Sequence, residues 1–106
     1  MTQVDQYTAE APTREQVEAM PGAVALEFGT DWCGHCQAAQ PMLQAALSTR
    51  DIVHLRIEDG PGRPLGRAFR IKLWPTLVLL RDGREVARLV RPADAGELER
   101  ALSSLD

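Results

Sequence analysis

Two cysteines separated by only two residues are the side chains of this chain most able to do covalent chemistry. Cys33 and Cys36 are its only cysteines, and they enclose Gly34 and His35 in the stretch DWCGHC. The pair follows a short apolar run and a turn, and helical composition begins at Cys33. A thiol at a helix N-terminus is stabilised as the thiolate by free N–H groups, and the thiolate is the attacking species. A second thiol about one helical turn later can resolve a mixed disulfide, so the spacing indicates thiol–disulfide exchange.

Elements that can position this pair alternate along the chain in the order β-α-β-α-β-α-β-β-α. The predicted strands are 4–7, 23–28, 51–57, 76–80 and 85–90; the predicted helices run from the cap at Thr13 to near Met20, over 33–47 with Pro41 as a kink, and over 65–70 and 94–105. Such alternation predicts an α/β fold with a mostly parallel sheet, helices on both faces and one antiparallel hairpin at Asp82-Gly83. In this prediction the strands at 23–28 and 51–57 are both central.

Length and composition favour one ordinary globular domain. The chain has 106 residues, 44% of them hydrophobic, and a net charge of -3. A chain of this size buries enough surface to fold without a disulfide or a metal. The first residues have neither a basic start nor an apolar stretch, so we expect no export signal, no membrane association and a cytoplasmic location. In that compartment a cysteine pair is more often catalytic, redox-sensing or metal-binding than structural.

The basic residues are unevenly distributed, with nine basic and four acidic residues between positions 56 and 91. A nucleic-acid surface is one interpretation of this stretch. We favour a solvated arginine-rich surface, because the stretch lacks the interleaved aromatic residues that stack on bases. We therefore expect no nucleic-acid partner.

Two longer stretches, LEFGTDWCGHCQAAQP and WPTLVLLRDGREVARLV, carry a family resemblance. Over roughly residues 23 to 105 the chain resembles thioredoxin or a single domain of protein disulfide isomerase. The resemblance implies the thioredoxin fold, a central mixed sheet of four to five strands flanked by helices on both faces. It also implies that residues 1–106 form a single thioredoxin-like domain.

The resemblance assigns roles to individual residues. Cys33 would be the nucleophile, and Cys36 would be the more buried resolving thiol. Pro75 matches the family's cis-proline, in a loop that faces the cysteines and pairs with an extended substrate strand. The expected substrate-binding positions are Trp32, Gly34, Trp74, Pro75, Thr76 and Arg91.

Glu27 stands where the family carries a buried acid, six residues before Cys33. It shares a strand face with Ala23 and Ala25, where an unpaired charge is costly. We expect burial to raise the pKa of Glu27, so that it could relay a proton to or from Cys36. The alternative is a solvated carboxylate near a strand end. The family's second ionisable group on the next strand would be His54 or Arg56, and the sequence leaves that choice open.

His35 lies between the cysteines, where thioredoxin usually has proline. The Cys-Gly-His-Cys form is that of protein disulfide isomerase. A protonated imidazole would stabilise the Cys33 thiolate and so make the disulfide more oxidising than that of thioredoxin. The alternative is an exposed spacer with little effect.

Three features depart from the family pattern. Trp74 precedes the cis-proline, where a smaller residue is frequent; it would reshape the substrate groove, serve as a binding platform, or pack as a core or rim residue. Arg91, followed by Pro92, replaces a glycine and adds bulk and positive charge near the site. The segment between Pro41 and Ile52 is short, so we expect the kinked helix to have lost about a turn.

Three functions remain after this reasoning. The favoured one is an enzyme, a thiol–disulfide oxidoreductase acting on protein disulfides. We expect it to be a reductant that is recharged by a separate reductase and to work as a monomer without a cofactor. A redox sensor or interaction module without general turnover is the main alternative. A zinc or cluster site formed by Cys33, Cys36 and either His35 or His54 is the least favoured, because a closed zinc site needs four ligands.

Overall fold

The computed structural model describes residues 6–106, which form a four-stranded mixed sheet with four helices. The helices are α1 (Arg14–Glu18), α2 (Gly34–Ser48), α3 (Pro64–Ala68) and α4 (Ala95–Ser103), and the strands are β1 (Ala23–Gly29), β2 (Val53–Glu58), β3 (Thr76–Arg81) and β4 (Arg84–Val90). The strand order is β2-β1-β3-β4. This is the thioredoxin fold, and the prediction of a mixed sheet flanked by helices is confirmed.

The expectation of a mostly parallel sheet is wrong. Among the four described strands only β1 and β2 pair in parallel, whereas β1–β3 and β3–β4 are antiparallel. For β3 to run parallel to β2, the connection must return the chain to the end of the sheet where β2 began. The five-residue α3 spans only about 7.5 Å, too little to cross the sheet. β3 therefore starts at the end of the sheet where β2 ended, and it runs in the opposite direction.

The start of the chain and β2 also differ from the prediction. Of the strand predicted at 4–7, residues 4 and 5 lie outside the described residues, and Thr8 makes one isolated parallel bridge to Ile57. β2 starts at Val53 rather than Asp51. Among the described residues it lies at the outside of the sheet, not at the centre, and meets only this bridge on its outer side.

The two faces of the sheet carry separate hydrophobic clusters. On one face Ala25, Leu77 and Leu79 pack against leucines of α2 and α4. On the other face Val24, Leu26 and Phe28 pack against residues from the α1 and α3 regions. Side chains alternate along a strand, so successive β1 residues contribute to opposite clusters. Glu27 consequently lies on the same face as Ala25, as the sequence predicted, and this face packs against α2.

Local signals at the helix starts agree with the structure. Thr13 and Gln16 form a complete capping box at α1, and the Asp94 carboxylate caps α4 by accepting from Gly96 and Glu97. The Asp82-Gly83 hairpin is present, with positive φ angles of 52° and 83° at its two residues. α2 begins at Gly34 with Cys33 as its N-cap, so the first cysteine lies at the N-terminus of the helix.

Candidate active site

The two thiols lie together at the start of α2. The Cys33 sulfur accepts a hydrogen bond from the Cys36 backbone N–H at 3.3 Å. Both cysteines are free thiols, 8% and 1% exposed respectively. Cys33 is thus the more accessible of two nearly covered sulfurs.

The environments of the two thiols move their pKa values in opposite directions. Burial works to raise the pKa of Cys33, but hydrogen bonds from Cys36 and from the His35 backbone, with the charge of Arg91, outweigh it, and the pKa is lowered. Burial is also the largest influence on Cys36, and together with the hydrogen bond to Cys33 it raises the pKa of Cys36 to about 11. The arrangement favours a thiolate at Cys33 and a neutral thiol at Cys36.

A loop opposite the thiols contains Trp74 and Pro75, which are joined by a cis peptide bond as predicted. Arg91 holds this loop through two hydrogen bonds of 2.8 Å, from its backbone N–H to the Pro75 carbonyl and from Nε to the Trp74 carbonyl. The buried Thr76 hydroxyl donates to the Leu73 carbonyl at 2.7 Å. Arg91 has a φ of 50°, a left-handed backbone conformation that glycine adopts without strain.

A cleft of about 370 Å³ separates α2 from this loop. Its lining includes three of the predicted site residues, His35, Pro75 and Arg91. The other lining residues are apolar: Ala38, Ala39, Met42, Pro92 and Ala93. Gly34 is exposed at the helix start, and a side chain there would meet nothing. His35 is also exposed, and the part of it that reaches Cys33 is its backbone N–H.

Two tryptophans border the other side of the thiols. Trp74 is partly buried and packs against Cys33, Cys36 and Tyr7. Its ring meets that of Trp32 edge to face at 5.7 Å, and its Nε1 donates to Asp59 at 2.9 Å. Trp32 remains 74% exposed. Trp74 therefore covers the thiols from one side, and Trp32 extends the aromatic surface into solvent.

Glu27 lies below the thiols, fully buried, and it is paired rather than isolated. His54 Nε2 lies 2.8 Å from Oε1, Arg56 Nε lies 3.6 Å from Oε2, and Gln40 Nε2 donates to Oε2 at 2.6 Å. The sequence left open whether His54 or Arg56 lies beside Glu27, and the structure places both there.

The expectation of a raised Glu27 pKa is wrong. Burial alone would raise it, but hydrogen bonds from His54, Tyr7 and Gln40 outweigh burial, and the pKa of Glu27 is lowered. The error came from treating the carboxylate as unpaired, since none of these donors is near Glu27 in the sequence.

Tyr7 and Gln40 are site residues that sequence reasoning missed. The Tyr7 hydroxyl hydrogen-bonds Glu27 Oε2, and Gln40 Nε2 donates to Glu27, to the Tyr7 oxygen and to the Cys36 carbonyl. Asp59, the partner of Trp74, was also missed. The one signal in the sequence was that Tyr7 is the only tyrosine, which says nothing about where its ring packs.

The metal hypothesis finds no support in the residues the structure describes. Within 6–106 no three histidine, cysteine or acidic side chains gather as a metal site would require. His54 pairs with Glu27 instead of joining the cysteines. In the same range, no helix has the length and apolar character needed to cross a membrane.

The comparison with known proteins agrees with this geometry. The thioredoxin family model matches residues 3–104. The chain belongs to the thioredoxin family. Members of this family are thiol–disulfide oxidoreductases, and the chain is an enzyme of that class.

Individual thioredoxins match most of the chain. A thioredoxin from Chlamydia trachomatis is 33% identical over 84 residues, which cover 77% of this chain and 81% of that protein. Thioredoxin H2-1 from Oryza sativa subsp. japonica is 34% identical over 83 residues, and the chain spans 59% of the length of that relative. The structure of reduced thioredoxin 2 from Pseudomonas aeruginosa PAO1 is 59% identical, with a TM-score of 0.84 and 94% of each chain covered.

Proposed function

We propose that this thioredoxin-family enzyme reduces disulfides of protein substrates, with Cys33 as nucleophile and Cys36 as resolving thiol. The observation that carries the assignment is the position of the two thiols: Cys33 caps α2 and accepts the Cys36 N–H at 3.3 Å, whereas Cys36 is only 1% exposed. These positions lower the pKa of Cys33 and raise that of Cys36. The thiolate is the reactive form, so Cys33 attacks first. A mixed disulfide forms, Cys36 attacks the Cys33 sulfur, and the substrate leaves as a dithiol.

The cleft and the aromatic surface supply the substrate-binding side of this proposal. An extended substrate strand lies along the Pro75 loop, with Thr76 and Arg91 holding the loop in place. Trp32 and Trp74 contact the substrate on the other side of Cys33, and exposed Gly34 leaves the approach to the sulfur open. His35 at the rim of the cleft adjusts the potential of the pair.

The enzyme works in this proposal as a single-domain monomer in the cytoplasm. A separate reductase returns electrons to the disulfide form, and no cofactor or nucleic acid takes part. Alkylation trapping in intact cells checks the direction, because a reductant keeps the pair mainly as the dithiol. A pair that is mainly a disulfide in cells would contradict the reductant role.

Multiple-turnover reduction of a model protein disulfide such as insulin tests the enzymatic proposal. The wild-type chain should turn over many substrate disulfides with dithiothreitol as electron source. Cys33→Ser should abolish turnover, whereas Cys36→Ser, mixed with the substrate without dithiothreitol, should accumulate a mixed disulfide at Cys33. Reduction that stops at one disulfide per protein would favour the redox-sensor alternative.

A further inference from the structure

The Tyr7 side chain occupies the space between the resolving thiol and the buried acid. Its hydroxyl hydrogen-bonds Glu27 Oε2, and its side chain packs in the same buried cluster as Cys36. The side chain is 6% exposed, so bulk water does not replace these contacts. Tyr7 thus connects two groups between which the proposed reaction must move a proton.

The hydrogen bonds around Tyr7 have a defined direction. A phenol has one proton to donate, and the ionised Glu27 carboxylate can only accept. The Tyr7 oxygen meanwhile receives Gln40 Nε2 at 3.2 Å, and because its own proton is donated to Glu27 it can meet the Cys36 S–H only as an acceptor. The order is therefore from the Cys36 S–H to the Tyr7 O–H to the Glu27 carboxylate.

The backbone around this contact leaves room for nothing larger. A methyl group placed on Gly29 would lie 2.6 Å from the Cys36 sulfur and 2.8 Å from the Tyr7 hydroxyl oxygen. The sulfur and the hydroxyl thus converge over the bare backbone of Gly29. Glycine at this position of β1 is what allows the ring of Tyr7 to reach Cys36.

Tyr7 is anchored independently of the thiols. Its backbone N–H donates to Asp31 Oδ1 at 3.0 Å, and the Arg56 guanidinium lies 4.3 Å from the centre of its ring. Asp31 belongs to the turn that precedes Cys33. The same turn therefore positions both the tyrosine and the cysteine motif.

A route continues from Glu27 towards solvent. His54 Nε2 lies 2.8 Å from Glu27 Oε1, and the His54 side chain is 18% exposed, whereas that of Glu27 is 0% exposed. An imidazole can accept a proton at one nitrogen and release one from the other. The titratable and charged groups facing this route are Glu27 on β1, His54 and Arg56 on β2, Cys33 and Cys36 at α2, and Asp31 in the preceding turn.

We propose that the Tyr7 hydroxyl passes the proton of Cys36 to the Glu27–His54 pair during the resolving step. This inference rests on the proposed roles of Cys33 and Cys36. The Cys36 S–H bond breaks as its proton moves to the Tyr7 oxygen, and the Tyr7 proton moves to Glu27 and leaves through His54. The sulfur electron pair of Cys36 forms the bond to Cys33. The bond between Cys33 and the substrate sulfur breaks, and the substrate leaves as a thiolate that solvent protonates.

A two-phase reaction with dithiobisnitrobenzoate isolates the step. Attack by Cys33 releases the first coloured thiolate, and attack by Cys36 on the mixed disulfide releases the second. The leaving group is the same acidic aromatic thiol in both phases, so the second phase reports deprotonation of Cys36. Tyr7→Phe removes the hydroxyl and keeps the ring. Thr8→Ala, an exposed neighbour in the same segment, is the matched control.

We expect Tyr7→Phe to slow the second phase at least about tenfold, since positioned proton transfer contributes on this scale or more. Its rate should then rise in proportion to hydroxide, and its solvent isotope effect should differ from that of wild type. The first phase, the melting temperature and both phases of Thr8→Ala should stay within about twofold or a few degrees of wild type.

Two outcomes would overturn the relay. One is a second phase of Tyr7→Phe with unchanged rate and pH dependence. The other is an equal slowing of both phases with a lower melting temperature, which would make Tyr7 structural. Failure of the proposed function is distinguishable, because wild type would then lack a second phase or release it equally after Cys33→Ser.

Discussion

At the scale of single residues, position rather than residue type separates the two thiols. Cys33 caps α2 and accepts N–H groups there, whereas Cys36 lies one turn inside and is almost completely covered. The same side chain therefore has a lowered pKa at one position and a raised pKa at the other. Neither shift needs a metal or a cofactor.

Alkylation of the reduced protein tests this separation. Because the pKa of Cys33 is lowered, its thiolate fraction at neutral pH exceeds that of an ordinary cysteine, and iodoacetamide should modify it first. Cys36 should react only as the pH approaches about 11. Peptide mass spectrometry locates the label, with the urea-unfolded chain as the control. Equal labelling of both thiols at neutral pH would contradict the assignment.

His35 acts on Cys33 through two different groups, and two substitutions separate them. His35→Pro removes both the imidazole and the backbone N–H that lowers the Cys33 pKa, while His35→Ala removes only the imidazole. Loss of thiolate stabilisation makes the disulfide harder to reduce. We expect His35→Pro to lower the potential by roughly 30 mV or more, equivalent to about 1.4 kcal/mol.

Equilibration in glutathione buffers measures this shift. If the imidazole carries the effect, His35→Ala should match His35→Pro. If the backbone carries it, His35→Ala should stay near wild type. An unchanged potential in His35→Pro would show that position 35 does not adjust the pair at all.

At the scale of elements, short contacts between a turn and a helix hold the end of the sheet opposite the site, where β1 begins and β3 ends. The β3–β4 turn packs against the end of α1, where a methyl group on Gly83 would lie 2.0 Å from the Glu18 carbonyl oxygen. The Asp82 carboxylate accepts the Gly22 N–H at 2.8 Å in the same region. Gly83 is therefore required for close approach as well as for its positive φ of 83°.

Alanine substitutions at Gly62 and Gly83 separate the cost of a positive φ from the cost of a steric clash. Gly62 also has a positive φ, 78°, but nothing lies within 4 Å of a methyl group placed there. Gly62→Ala should lower the free energy of unfolding by about 1 kcal/mol through backbone strain alone. Gly83→Ala adds the clash and should cost about 3 kcal/mol. Urea unfolding measures both, and equal losses would show that the turn relaxes away from α1.

At the scale of the whole molecule, Glu27 links the sheet to the site as a buried charge with partners from three parts of the chain. Tyr7, Gln40, His54 and Arg56 reach it from the N-terminal segment, α2 and β2. Removing one member of such a buried cluster leaves the others uncompensated. The contribution of this buried cluster to the stability of the fold consequently depends on the ionisation of Glu27.

Acid unfolding tests that contribution. The pKa of Glu27 is lowered in the folded state, so on acidification the unfolded chain takes up this proton first. The stabilisation should be complete above about pH 4.3 and lost as the pH falls through the folded value. Glu27→Gln should cost about 3 kcal/mol at neutral pH and flatten the acid loss. Exposed Glu97→Gln is the control, and an unchanged acid slope in Glu27→Gln would contradict the account.

The motif, the order of elements from α1 onward and most of their boundaries could be predicted because they depend on neighbouring residues. Cys-x-x-Cys spacing places two sulfurs one helical turn apart in any helix, and capping residues such as Thr13 and Asp94 act within four positions. Apolar runs identified β1 and β3, and Asp82-Gly83 identified the hairpin. These features follow from local geometry and chemistry.

What only the tertiary structure decided involves residues far apart in the chain. The direction of β3 depends on how far α3 carries the chain, and the pKa of Glu27 depends on donors from Tyr7, Gln40 and His54. Burial raises the pKa of a carboxylate that has no partner, but hydrogen-bond donors lower it. Packing decides which donors lie beside the carboxylate. The sequence by itself determined that a reactive thiol pair opens a helix after a strand. Folding decided which groups surround that pair, because electrostatic and hydrogen-bond energies depend on distance in space, not on separation along the chain.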